Sequence, residues 1–259
     1  MRSPARSSMT RASFLTGTAI AILNSFALVA WAGAPAAAPR VHATGIGEVL
    51  RVVLGQHAVA NLNTRTELSV GVTPNGCNIV LKSGEVLFEV RRNDGRLVHV
   101  TAGKVILAAD AAAFAVRLRE PDAVEVLVRK GTVTLTESAR RTGSTTLMAN
   151  YKAHVSPEGI ALEEFTDAEV QRRLEWTTGY LSFRGETLEE VAEEFNRYNP
   201  QQLVVDDRSI RKIRIGGKFQ STDPEGFVAA LRPMGVQRAQ AARTSDANEL
   251  IRLVGTPGR

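Results

Sequence analysis

Leu81-Lys82-Ser83-Gly84-Glu85-Val86-Leu87-Phe88-Glu89-Val90 is the stretch that decides the fold class. In its second half Val86, Phe88 and Val90 fall on one face of an extended chain. A period of two belongs to a β-strand, because successive side chains point to opposite sides of the pleat. Val98 and Val100 repeat the pattern a few residues on.

Working outward, short strands are predicted at Val49–Leu54, Leu68–Val72, Asn78–Leu81 and Glu85–Val90. Others follow at Leu97–Thr101, Lys104–Ala108, Ala113–Leu118, Val124–Val128 and Thr132–Thr136, and Tyr151–Val155 and Ile160–Glu163 close the series. Asn75-Gly76, Ser83-Gly84, Asp94-Gly95 and Lys130-Gly131 read as the turns between them, since these residues tolerate positive φ. Ser138–Ser144 is polar and reads as a loop. Strands this closely punctuated predict an all-β module over residues 40–163, either a roll, a sandwich or a small solenoid. No helical run interrupts it, which disfavours a parallel βαβ sheet.

The pattern then changes. Thr166 and Glu169 form a T-x-x-E capping box, with Val170 and Leu174 on one helical face, so residues 164–178 read as a connector helix. From 179 to 259 the expectation is a small α+β module. Tyr180–Phe183 reads as a strand, and Thr187 with Glu190 caps a helix whose Leu188, Val191, Ala192 and Phe195 make one apolar stripe. Asn199-Pro200 ends it. Strands follow at Leu203–Val205 and Ile213–Phe219, then a helix from Asp223-Pro224 to Leu231, then a closing hairpin from Val236–Ala239 and Leu250–Val254. The predicted order is βαββαββ.

Residues 1–39 read as an address. Between Arg11 and Arg40 there is no charge, and Ala12–Gly33 is largely apolar. As a helix, about 22 residues reach about 33 Å, enough for a bilayer core of about 30 Å. The basic residues Arg2, Arg6 and Arg11 precede it, so the head stays cytoplasmic and the rest is exported. Two readings stay open. Residues 12–33 anchor the chain in the inner membrane, with Trp31 at the outer interface, or Ala34-Pro35-Ala36 is a signal-peptide cleavage site. Both place the remainder in the periplasm.

Composition excludes several functions. A net charge of +5, partly in the N-terminal head, is too spread out for a nucleic-acid binder. The single cysteine, Cys77, rules out an intramolecular disulfide and a cysteine-rich zinc site. His42, His57, His99 and His154 show no metal-ligand spacing. G-x-S-x-G, H-E-x-x-H and P-loop motifs are missing, so no enzyme chemistry, cofactor or metal is expected.

The charges of the last module are polarised. Glu186, Glu189, Glu190, Glu193 and Glu194 lie on or beside its first helix, whereas Arg208, Arg211, Lys212, Arg214 and Lys218 fall in one segment without an acid. Either these are solvated faces that partly pair with each other, or the basic strand is a docking surface. Its candidate residues are Arg211, Lys212, Arg214, Ile215, Lys218 and Phe219.

Several motifs resemble the FecR family, the periplasmic regulators of cell-surface signalling. Thr44-Gly45-Ile46-Gly47-Glu48 is similar to the family's opening T-x-x-G-E, and Leu62-Asn63-Thr64 to its L-N-T/S strand end. Leu81–Val90, with Gly84, Glu85 and Phe88, resembles L-x-x-G-E-a-x-F-x-V. In the second module Trp176, Gly179, Leu181 and Phe183 resemble W-x-x-G-x-L-x-F, Glu194-Phe195-Asn196-Arg197-Tyr198-Asn199 resembles E-x-N-R-Y-N, and Gly217-Lys218-Phe219 resembles the following G-x-F. Leu54-Gly55-Gln56-His57 and Asp110–Phe114 depart from the family's L-x-D-G and G-T-x-F.

The resemblance implies a second module similar to the short N-terminal domain of secretins and TonB-dependent receptors. It implies control of sigma-factor-dependent transcription of the iron-uptake type. The implied partner is the periplasmic signalling domain of an outer-membrane TonB-dependent transducer. Family members hold the sigma factor through a cytoplasmic helical domain. Here Met1–Arg11 alone precede the apolar segment, so either the true start lies upstream or this is a shortened member that does not itself hold the sigma factor. The alternative is a periplasmic scaffold in an envelope or secretion assembly, docking partners along strand edges.

Overall fold

The computed structural model describes residues 39–56, 58–73, 76–91, 97–119, 123–138, 143–239 and 250–256, within the compact unit Ala36–Arg259. The apolar segment 12–33, the Ala34-Pro35-Ala36 site, His57 and Asp94-Gly95 lie outside the described residues. Among those described, no helix is long and apolar enough to cross a membrane.

The first part holds twelve strands. They begin with β1 (Arg40–Ala43), β2 (Leu50–Leu54), β3 (Ala58–Leu62) and β4 (Glu67–Thr73). Then come β5 (Gly76–Val90), β6 (Val98–Ala102), β7 (Val105–Ala109) and β8 (Ala112–Arg119). The last are β9 (Ala123–Glu137), β10 (Ser144–Met148), β11 (Tyr151–Ser156) and β12 (Gly159–Glu164).

Two of them, β5 and β9, are each fifteen residues long and each serve two layers. The first half of β5 pairs with β4 and β6, and the second half with β3 and β8. The first half of β9 pairs with β8 and β11, and the second half with β7 and β10. One layer therefore runs β1-β4-β5-β6-β7-β9-β10 and the other β2-β3-β5-β8-β9-β11-β12, joined at the two shared strands. β6 lies parallel to β5 because β5 has crossed to the other layer before the chain returns. The result is a two-layered, barrel-like β-roll. Inward residues of both layers, including Leu62, Leu68, Ile79, Phe88, Leu107, Phe114 and Leu135, make its core.

This corrects two turn assignments. Ser83-Gly84 and Lys130-Gly131 do not separate strands; each is a bend inside one. Gly84 has φ 86° and Gly131 φ 77°, conformations that side chains with a Cβ rarely adopt. A Cβ at Gly84 would sit 2.3 Å from Thr66 Oγ1, and one at Gly131 would sit 2.2 Å from the Ala111 carbonyl oxygen. Glycine is what lets a strand change layers here. The strands β1, β3 and β10 were not foreseen. β1 and β10 are mostly exposed, so their residues give no alternating signal.

The second part begins with α1 (Asp167–Arg173) and a 3-10 turn at Glu175–Thr178. It continues with β13 (Tyr180–Thr187), α2 (Leu188–Tyr198), β14 (Gln202–Val205) and β15 (Arg214–Gln220). It ends with α3 (Pro224–Leu231), β16 (Val236–Arg238) and β17 (Leu250–Gly255). Both capping boxes form. Thr166 and Thr187 each accept from the backbone of the glutamate three residues on, and each glutamate accepts from the cap's N–H. Gly179, at φ 83°, ends the 3-10 turn. β13 and β15 form an antiparallel pair, while β14, β17 and β16 form a second sheet with β14 parallel to β17. Phe195 stacks on Phe227 at 4.5 Å, with Phe183 and Phe219 beside them.

Candidate functional site: the junction between the two modules

The outward face of the second layer is covered by the C-terminal module. Leu87, Ala115 and Leu127 stand side by side on β5, β8 and β9, pointing away from the first core. All three are buried, and they join Trp176, Leu181, Val191 and Phe195 in a second core. Strands buried on both faces read as continuous apolar runs rather than alternating ones. Val86-Leu87-Phe88, Phe114-Ala115-Val116 and Val126-Leu127-Val128 are such runs, a signal present in the sequence.

One step along the strands lies a polar row. Asn63, Glu85, Arg117, Glu125 and His154 neighbour one another across β3's end, β5, β8, β9 and β11. α2 crosses this row with its last turn. The Asn63 amide donates to Glu85 Oε2 at 2.9 Å and to the Tyr198 hydroxyl at 2.7 Å. Arg197 Nη2 donates to the same Glu85 oxygen at 2.9 Å, and its Nη1 pairs with Glu194. Arg117 grips Glu194 with both terminal nitrogens, at 3.1 and 3.2 Å. Thr64 Oγ1 donates to the Arg197 carbonyl at 3.0 Å and accepts from Gly47 N–H at 2.9 Å. Gly47, at φ 73°, also passes close to the Tyr198 carbonyl, where a Cβ would lie 2.8 Å away.

Family-motif residues of the two modules thus meet each other. Asn63 is fully buried and Glu85 nearly so. Burial alone would raise the Glu194 carboxyl, but Arg197 and Arg117 more than offset it and hold it below its ordinary value. Burial would lower Arg197, but Glu194 and Glu85 raise it. The Tyr198 hydroxyl is pushed up by burial and by Glu85. The Glu194–Arg197 pair is therefore held in its charged form, and with Asn63, Glu85 and Tyr198 it ties the two modules together. Sequence reasoning singled out Asn63, Glu85, Arg197 and Tyr198 but gave no sign of Arg117 or of the pairing across 112 or more residues.

The other motif residues are structural. Phe88 lies in the first core; Trp176 and Leu181 are buried in the second. Phe183 packs on the second core, and Asn196 ties α2 to Leu203 through two backbone bonds. Glu48 accepts from Gly45 N–H, and Gly217 lies at φ 138° within β15. A cleft of about 630 Å³ opens beside the joint, with Arg117, Glu125, Lys152, Arg172 and Glu190 among its walls. Among the described residues no group of three or more His, Cys, Asp or Glu could hold a metal.

The basic segment divides in two. Ile215 is buried and Phe219 packs against the second core, so neither side chain belongs to an exposed docking face. Lys212, Arg214 and Lys218 are exposed. Arg211 pairs with Glu189 at 3.5 Å, Arg214 donates to the Gly185 carbonyl, and Lys218 pairs with Glu175 over the Tyr180 ring. Among the described residues β15 pairs along one edge, with β13.

Residues 40–134 match the family model described as FecR protein. Two crystal structures of a "putative anti-sigma factor" from Parabacteroides distasonis ATCC 8503 share the fold across both modules. Both are 21% identical in sequence, with TM-scores of 0.65 and 0.66. They cover 85% and 84% of this chain and 100% of their own. No curated protein matches. Residues 40–134 are thus similar to the FecR protein family, and a C-terminal module packs onto them.

Proposed function

We propose that this chain is a regulator of a sigma factor, exported to the periplasm and held at the inner membrane by residues 12–33. Its C-terminal module receives the signal and the FecR domain carries it onward. The partner in this reading is the periplasmic signalling domain of an outer-membrane TonB-dependent transducer of the iron-uptake type. It adds a strand to the free edge of β15, where Arg211, Lys212, Arg214 and Lys218 supply basic contacts.

One observation supports this most: the residues that resemble the family's motifs in each module contact those in the other, through Asn63–Tyr198 and Glu85–Arg197. A module that only decorated the roll would not need a buried ionic joint to it. The anti-sigma naming of the two structural neighbours points the same way.

The test is transcription. Deleting the gene is expected to change expression of the adjacent receptor operon, with or without its iron chelate. Restoring the chain should restore control. Unchanged expression in every condition would defeat the proposal.

A further inference from the structure

The cleft beside the joint is walled by both modules. Arg119, Leu127 and Lys152 come from the roll, and Arg172, Arg173 and Trp176 from the C-terminal module. Its volume of about 630 Å³ is that of a small-molecule site. Apart from the exposed Glu193, every carboxylate on its walls already holds a donor. The donors are not all used. Trp176 is 3% exposed, and its indole N–H has no acceptor. Arg172 donates through Nη1 to the Ser182 carbonyl and to Glu186, but its buried Nε–H has no acceptor either. Arg173 lies over the Phe165 ring at 4.4 Å and pairs with no carboxylate among the described residues. On the roll's wall Arg119 and Lys152 share one carboxylate, that of Glu125.

A buried N–H without a partner is costly, and solvent barely touches these two, so water does not supply what they lack. What the cleft is short of is an acceptor, and beside the idle donors stand the apolar Leu127 side chain and the indole. We propose that this cleft binds a small molecule carrying an anionic oxygen group, carboxylate or phosphate, on an apolar body. The anionic group takes the free N–H groups of Trp176 and Arg172 and the charge of Arg173, and the body lies against Leu127 and Trp176. A cationic molecule would find Glu193 as its one unengaged carboxylate, and an uncharged one would leave Arg173 without a counter-charge. Because each module supplies part of the wall, the bound molecule bridges them and makes their separation harder. The inference does not depend on the transducer reading, which uses the edge of β15.

Trp176 reports on its own site. Trp31 is the other tryptophan of the chain, so the full chain carrying Trp31→Phe emits from Trp176 alone. It is titrated with benzoate and with phenyl phosphate, which separate the two anionic groups, and with benzyl alcohol as the uncharged control. At least one of the anions is expected to change the Trp176 emission saturably, with Kd on the order of 1 mM, and to raise the melting temperature. Benzyl alcohol should bind at least tenfold more weakly. Arg173→Gln should weaken the anion about tenfold and leave the melting temperature of the unliganded chain near its parent's, because this side chain is exposed and holds no carboxylate. No saturable response to either anion, an equal response to benzyl alcohol, or undiminished binding by the folded Arg173→Gln variant would overturn the inference.

Discussion

The side-chain amide of Asn63 donates a 2.7 Å hydrogen bond to the hydroxyl of Tyr198, 135 residues further along the chain. The same nitrogen holds Glu85, and Asn63 Oδ1 accepts from Thr64 N–H. Every polar atom of a fully buried side chain is thereby used. Asn63→Ala removes all these bonds and leaves buried partners unmet, which should cost about 2–3 kcal/mol. Tyr198→Phe removes one acceptor and should cost about 1 kcal/mol. Urea unfolding of both variants checks the order; equal and negligible losses would show that the contact does not hold the modules together.

Arg197 sits between two carboxylates, Glu85 and Glu194, in the same joint. Arg197→Met leaves Glu85 with only the Asn63 hydrogen bond and Glu194 with only Arg117, and should destabilise by about 2–3 kcal/mol. Adding Glu85→Gln to that variant should recover part of the loss, because one under-paired charge is gone. A double-mutant cycle measures this, and strict additivity would show that the two residues do not interact.

Acid should weaken the roll through Glu125. Burial by itself would raise this carboxyl, but Lys152, Arg119 and Arg117 bring it down to about 2 from an ordinary 4.5. A carboxyl whose folded value is depressed stabilises the fold above its unfolded value. That contribution, about 3 kcal/mol, is lost as pH falls through the folded one. Stability should therefore drop between about pH 5 and pH 2, and Glu125→Gln should flatten part of that limb. An identical acid profile in wild type and variant would rule out this assignment.

Gly84→Ala and Gly131→Ala should each cost more than about 3 kcal/mol, since the new Cβ meets backbone as well as a forbidden φ. Gly185, at φ 111° with nothing within 4 Å of its Cβ position, should carry the backbone strain alone and lose about 1–3 kcal/mol as Ala. Guanidinium unfolding separates the two cases, and similar losses at all three sites would remove the layer-switch explanation.

The C-terminal module was legible almost element by element. α2 carries a capping box and an apolar stripe and α3 an Asp223 cap with Pro224 behind it, and these are local signals that packing does not override. The roll was legible as β but not as two layers. Ser83-Gly84 and Lys130-Gly131 have turn composition, and only their long-range partners Thr66 and Ala111 show that each is a bend. Ile215 and Lys218 looked alike as members of a basic strand. Yet period-two alternation along β15 separates them: Ile215 and Phe219 share the face that α2 and α3 cover, and Arg214 and Lys218 the other. The Arg117–Glu194 pair spans 77 residues and becomes visible only when β8 and α2 are placed together.

The most direct test of the regulator reading is the binding of Ala36–Arg259 to the signalling domain of the TonB-dependent transducer encoded beside it, followed by calorimetry. The account predicts saturable binding, micromolar or tighter. It also predicts that Arg214→Glu with Lys218→Glu weakens this binding at least tenfold and makes what remains less sensitive to salt. No saturable binding between two demonstrably folded proteins would contradict it, as would equal binding by the charge-reversed variant.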